Sequence, residues 1–236
     1  MKATEVQRAL RGYASKERAR INAWFFKTGK GEYGEGDEFI GVTVPQARKV
    51  ATLFSNLSFS ELEKLLSSKK HEHRLTALLI LVHCYAKAEV KKQKEILQFY
   101  LDHLDHINNW DLVDLSAPKI LGVHYCLYGG EEKLIHLAKQ KNIWKKRIGI
   151  VATYAFIREG RFELTLQISK LLLSDQEDLL HKAVGWMLRE VGKKDNRVLK
   201  LFLAEYYEEM PRTTLRYAIE RFPEIERKKW LKRALR

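Results

Sequence analysis

The stretch HEHRLTALLIL, residues 71–81, carries a charged head followed by a largely apolar run, and it recurs. NNWDLVDLSA (108–117), WKKRIGIVATYAF (144–156), LHKAVGWMLREV (180–191) and PRTTLRYAIERF (211–222) have the same build. Aligned on Arg74, Asp111, Arg147, Lys182 and Thr214, the copies follow one another at intervals of 37, 36, 35 and 32 residues. A period of that size marks a stack of helix–turn–helix units, each too small to bury its own apolar face.

The surrounding chain agrees. Leu62, Leu65 and Leu66 share one helical face, as do Ile96, Leu97, Tyr100, Leu101 and Leu104, and Leu164, Ile168, Leu171 and Leu172. These are 3.6-residue periods, not the alternation of a half-buried strand. Ser55-Asn56, Gly129-Gly130, Gly160 and Lys194-Asp195-Asn196 break the pattern into short helices. The fold expected is all-α, an α-solenoid of HEAT-like repeats with a basic concave groove. The charged residue opening each second helix favours HEAT, and the Trp, Leu-Gly and Tyr offsets of tetratricopeptide repeats are missing. One domain, 1–236, is expected, with capping helices and a loop in 1–56 and repeats over 57–230. Second helices line the inner face of such a stack, which would bring Trp110, Asp114, Arg147, Lys182 and Trp186 to one groove.

Composition narrows the partner. There are 43 Lys and Arg against 30 Asp and Glu, a net charge of +13. A field of that sign favours a polyanion, nucleic acid or an acidic membrane surface. The most apolar stretch, Leu75 to Tyr85, is too short to span a bilayer. No secretory leader is read at the start, so a cytoplasmic, nucleoid-associated protein is expected. Cys84 and Cys126 sit in apolar helical surroundings and read as buried thiols, with no spacing that suits zinc or a disulfide framework.

Several motifs invite a chemical reading. GKGEYG, Gly29–Gly34, matches G-x-G-x-x-G, yet it follows a helical segment and no βαβ unit surrounds it. A nucleotide fingerprint is therefore rejected. The expectation is a flexible loop over 28–38 that approaches a partner, carrying Tyr33 with Lys27 and Lys30. His103 and His106 flank Asp105 without a third ligand, so no metal site is expected. His71 and His73, beside Arg74, are read as part of a phosphate-facing surface.

Trp110 and Asp114 are four residues apart and share a helix face. A carboxylate on a surface meant for a polyanion asks for a reason. It either serves chemistry or bonds a neighbouring helix, and the residues alone leave both open. Lys145, Lys146 and Arg147 fan around one helix, with Asn142 as its cap. At least one cation must face the groove, and arginine suits bidentate phosphate binding. Trp186 follows Gly185 in mid-helix, where glycine costs about 1 kcal/mol against alanine. That points to close packing or to the close approach of a large partner, and Trp186 itself is either a core residue or part of the groove.

Taken together, WDLVD, WKKR, KAVGWMLRE and FIGVTVPQARKV (39–50) resemble the AlkD family of bacterial alkylpurine DNA glycosylases, from about residue 20 to about residue 225. The resemblance implies removal of cationic alkylated purines, 3-methyladenine and 7-methylguanine, from double-stranded DNA. It implies a catalytic Asp114, with Trp110 and Trp186 against the lesion's sugar and Arg147 on a phosphate. Lys146, Lys182, Arg74, Tyr33 and Lys30 complete the expected DNA-binding set. No metal or other cofactor, no membrane and no obligatory protein partner is expected, and the protein is expected to be a monomer. Active members often double the Trp before the Asp and double the Arg, where this chain has Asn109 and Lys146. The alternatives are a non-catalytic HEAT-repeat protein recognising bent or branched DNA, and a protein-binding scaffold.

Overall fold

A computed structural model describes residues 1–233. The chain is all-α. Among the described residues there is no strand, and Glu38 and Lys70 form an isolated β-bridge. Contacts divide the chain into two compact units, Met1–Ser116 and Ala117–Arg236.

The first unit holds α1 (Ala3–Arg11), α2 (Lys16–Phe25), α3 (Val44–Leu53), α4 (Phe59–Leu66), α5 (His71–Lys87), α6 (Val90–Asp102) and α7 (Trp110–Ser116). Its centre is α5. Every residue from His71 to Leu81 is buried, the charged head included. α1, α3, α4, α6 and α7 all pack on α5. Thr43 and Gln46 form a capping box that opens α3, and Pro45 near its start needs no helical N–H partner. α2 differs from its neighbours, since none of its residues is buried.

The second unit opens with a π-helical turn, Pro118–Gly122, where Pro118 lacks an N–H and Gly122 donates to the Ala117 carbonyl five residues back. It runs on into α8 (Val123–Tyr128), α9 (Glu132–Ala138), α10 (Ile143–Val151), α11 (Tyr154–Arg158) and α12 (Glu163–Leu172). α13 (Asp178–Lys194), α14 (Asn196–Tyr206), α15 (Arg212–Ala218) and α16 (Glu224–Arg233) complete it. α13 plays the part of α5: both are 17 residues long, and α10, α11, α12, α14 and α15 pack on α13.

All five residues used to align the repeats lie in helices, on α5, α7, α10, α13 and α15. Four of them, Arg74, Asp111, Arg147 and Thr214, are buried. Three of them tie neighbouring repeats together, whereas Arg74 is held by Asp37 and the Ser68 carbonyl. Asp111 meets His71 of the preceding copy, Arg147 donates to the Leu179 carbonyl of the next, and Thr214 donates to the His181 carbonyl of the preceding one. At Asp111 and Arg147 the charged position of the repeat is therefore a tie between repeats, whereas Lys182 pairs with Asp178 on its own helix.

The apolar faces hold except at Leu101 and Leu104, which are half-buried, and at Leu171. Leu62, Leu65, Leu66, Ile96, Leu97, Tyr100, Leu164, Ile168 and Leu172 are buried, but Leu171 is 39% exposed. Three residues on from Ile168, the Leu171 side chain has turned past the edge of the buried stripe of α12. Cys84 and Cys126 are both free and only half-buried. Cys84 donates to the Ser55 carbonyl at 3.0 Å, so the thiol caps a turn as well as filling space.

Candidate functional site

The site is built on the short helix α7. Its first turn is held by side chains rather than by a longer helix behind it. Asn109 accepts from the Trp110 N–H through Oδ1 at 2.8 Å, and Asp111 Oδ1 accepts from the Leu112 N–H at 2.8 Å. Both satisfy donors that a helix start leaves open. Val113 and Leu112 face the core, while Trp110 and Asp114 stand half-buried on the other side. Asp114 is engaged by neighbours and is not a bare carboxylate.

Beneath α7 lies a buried charged cluster. Asp37, from the loop before α3, accepts from Arg74 Nη2 at 2.6 Å and from Asn109 Nδ2 at 3.2 Å. His71 has Nδ1 3.1 Å from Asp37 Oδ2 and Nε2 2.8 Å from Asp111 Oδ2. Burial alone would discharge His71. The charge of Asp111 and its hydrogen bond, with a further bond from Asp37, overcome that and raise the imidazole to about 9. Burial would likewise raise Asp37, but the His71 hydrogen bond and the Arg74 charge hold it below the ordinary carboxylate value. His73 goes the other way. Burial first, then the charges of Arg11, Lys70 and Arg74, lower it to about 4.

Rings continue the cluster towards Trp110. Phe39 stacks on His71 with centroids 4.6 Å apart, Phe26 on Phe39 at 5.0 Å, and Trp110 on Phe26 at 5.1 Å and 12°. Phe25 meets the Trp110 ring edge-on at 6.0 Å. A cleft of about 250 Å³ runs alongside, lined by Phe26, Phe39, Asp111, Arg18 and Asn22 among others.

The expected site residues divide between the two units. Trp110 and Asp114 belong to the first and stand together on α7. Arg74, expected on a phosphate-facing surface, is turned inward at 4% exposure and is engaged by Asp37 and the Ser68 carbonyl. His71 and His73 are buried too, so neither faces outward. Tyr33 donates to the Phe25 carbonyl at 3.4 Å, and Lys30 is exposed. The 28–38 loop is tied down rather than open. Gly34 donates to the Lys27 carbonyl at 3.0 Å, and a Cβ at Gly34 would lie 2.3 Å from the Phe26 carbonyl oxygen. Glu32 and Glu35 accept from the Gly29 and Gly31 N–H groups, and the loop ends in the buried Asp37.

Arg147, Lys146, Lys182 and Trp186 belong to the second unit. Arg147 is buried on α10, whereas Lys146 is half-buried and bonded to Asp175. That bond, with the Glu177 N–H, holds the Asp175 carboxylate below its ordinary value against the effect of burial. Lys182 pairs with Asp178 one turn before it on α13 at 2.6 Å. Trp186 is half-buried, its ring 6.3 Å from that of Tyr154. Gly185 has a packing role: a Cβ there would lie 2.5 Å from Tyr217 Cβ and 2.6 Å from the Thr214 carbonyl oxygen.

Sequence reasoning missed Asp37, Glu72 and the buried roles of His71, Asn109 and Asp111. The available signal was the charged head HEHR at the start of an otherwise apolar helix. Glu72 turns out to accept from the N–H groups of Ile40, Gly41 and Val42. The departures from the resembled pattern also find their partners here. Asn109 bonds the loop carboxylate Asp37, and Lys146 bonds Asp175.

Among the described residues no group of three His, Cys, Asp or Glu side chains could hold a metal ion, and no helix is long and apolar enough to cross a membrane. A protein from Enterococcus faecalis described as a predicted DNA alkylation repair enzyme is similar in fold, with a TM-score of 0.69 and 15% identity over 89% of this chain and 97% of that one. AlkD2 from Streptococcus mutans matches with a TM-score of 0.55 and 18% identity, over 94% of this chain and 97% of that one. No curated protein matches the sequence. The model of the DNA alkylation repair enzyme family matches residues 6–222, nearly the whole length, and the chain belongs to that family.

Proposed function

We propose that the protein is a DNA glycosylase that hydrolyses the N-glycosidic bond of cationic alkylated purines, 3-methyladenine and 7-methylguanine, in duplex DNA. The observation that carries the reading is α7. It presents an indole and a carboxylate on one half-buried face, from a helix start braced by buried charge.

The chemistry follows from the substrate. An alkylated purine already bears positive charge, so the bond from C1′ to the base breaks with its electron pair leaving on the base. The base departs neutral and the sugar takes on oxocarbenium character. Asp114 stabilises that charge and orients water, whose oxygen bonds C1′ while the carboxylate accepts its proton. Trp110 and Trp186 offer electron-rich faces to the cationic lesion and its sugar, at roughly 0.5–2 kcal/mol each. The cations divide by burial. Lys30, Lys146 and Lys182 reach solvent and meet phosphates, Lys146 and Lys182 by exchanging Asp175 and Asp178 for them, whereas Arg74 and Arg147 brace the helices from beneath. The reading needs no metal or cofactor, places the protein with DNA in the cytoplasm, and takes it to act as a monomer.

The test is release of methylated purines from alkylated duplex DNA by the wild type and by Asp114→Asn. Release by the wild type, lost in a variant that still binds DNA, supports the reading. DNA binding without release by either protein removes the enzyme and leaves a binder of bent or branched DNA. Association insensitive to salt removes DNA altogether, because neutralising about six phosphates gives a slope of log K on log salt near roughly −5.

A further inference from the structure

The two ring nitrogens of His71 each face a carboxylate oxygen, Asp37 at 3.1 Å and Asp111 at 2.8 Å. A neutral imidazole has one donor and one acceptor, and an ionised carboxylate only accepts. Two such contacts are satisfied together only when both nitrogens donate, so the geometry calls for an imidazolium. The remaining atoms agree. Asp37 also takes hydrogen bonds from Arg74 and Asn109, and Asp111 from the Leu112 N–H, as ionised carboxylates do. Two anions and two cations are thus buried as one neutral set. Glu72 is turned away to the N–H groups of residues 40–42, Lys70 pairs with Glu38, and Arg18 lines the neighbouring cleft.

This clasp joins two segments far apart in the chain, and the rings join the same two. Asp37 and Phe39 come from the loop end, Asp111 and Trp110 from α7. The stack His71–Phe39–Phe26–Trp110 runs from the imidazolium to the indole. Between them, Lys27 has a φ of 51°, a left-handed conformation that only a well-held segment sustains in a non-glycine residue.

We propose that His71 is the positioning residue of the site: an imidazolium clasp that fixes α7, and with it Trp110 and Asp114, against the 28–38 loop. The part of this that concerns base release rests on the glycosylase reading. The clasp itself does not. His71 touches no substrate, and its effect reaches the chemistry through the placement of α7, where small displacements of a reacting group carry large rate costs.

The experiment follows the Trp110 indole N–H by NMR, assigned with Trp110→Phe, in the wild type, His71→Gln and Asp37→Asn. In the wild type the Trp110 signal should move with pH at the same midpoint as the His71 ring carbons, near pH 9. In His71→Gln it should be displaced and lose that titration, and in Asp37→Asn it should be displaced and titrate at lower pH, because Asp111 still pairs with the imidazole while the Asp37 bond that helps hold it charged is gone. For 7-methylguanine release, kcat should fall about tenfold in each variant while KM for DNA changes by less than about threefold. A Trp110 signal that ignores the His71 titration in the wild type overturns the proposal, even if neither variant folds. So does a displaced signal with unchanged kcat. If the wild type releases no base, the glycosylase reading fails by itself and the indole signal still decides the clasp.

Discussion

The Arg147 guanidinium donates to the main-chain carbonyl of Leu179 at 2.5 Å from a side chain only 5% exposed. A residue whose type and place in the sequence suggest a phosphate ligand is thereby a tie between α10 and the start of α13. Arg147→Met keeps much of the buried stem and removes the donors. The expected loss is about 1–3 kcal/mol, because a part-buried carbonyl loses a charged donor. Thermal melting should show it as a fall of several degrees, roughly 2–4 °C per kcal/mol for a chain of this size. An unchanged melting temperature would mean that the tie contributes nothing net.

Glu72 braces the entry to α3. Its buried carboxylate accepts from the N–H groups of Ile40 at 3.0 Å, Gly41 at 2.8 Å and Val42 at 3.2 Å. Glu72→Ala leaves those donors without their acceptor, and the expected cost is about 3–5 kcal/mol. Glu72→Gln keeps one oxygen and should cost less, about 1–2 kcal/mol. Urea denaturation of both variants checks the order. Equal losses would show that charge, not acceptance, is what Glu72 supplies.

Gly185→Ala tests the contact of α13 with α15. The added methyl would meet Tyr217 Cβ at 2.5 Å and the Thr214 carbonyl oxygen at 2.6 Å, and a backbone atom cannot swing aside. Separation of the two helices should cost about 1–3 kcal/mol. A neutral or stabilising result, as alanine gives in an open helix, would contradict that packing.

Stability should also depend on pH in a way set by the buried histidines. His71 is raised from 6.5 to about 9, so its contribution is fully present below pH 6.5 and is lost as pH rises through 9. His73 is lowered to about 4, so the folded state favours its neutral form and loses stability as pH falls from 6.5 towards 4. Asp37, lowered as well, loses its contribution at still more acid pH. Melting temperature should therefore fall on both sides of a maximum near pH 6.5. In Asp111→Asn the alkaline fall should flatten, because the anion that chiefly raises His71 is gone. An identical alkaline limb in that variant would assign the loss to another group.

What the sequence by itself determined is the helical fold, its repeat and the family. Apolar residues at 3.6-residue spacing bury one stripe wherever the helix sits, so Leu62, Leu65 and Leu66, or Leu164, Ile168 and Leu172, are readable from a short window. Trp110 and Asp114 share a face for the same local reason. What only the tertiary structure decided is the direction and partner of the polar groups. His71 meets Asp37 and Asp111 across 34 and 40 residues of chain, and Asn109 meets Asp37 across 72. No local period encodes such pairs. Arg74 and Arg147 look like ligands for a polyanion in the sequence, yet acceptors within the fold, Asp37 and the Leu179 carbonyl, already engage them. A charge is left inside a fold only when packing brings it a partner, and that meeting is a property of the folded chain rather than of any stretch of it.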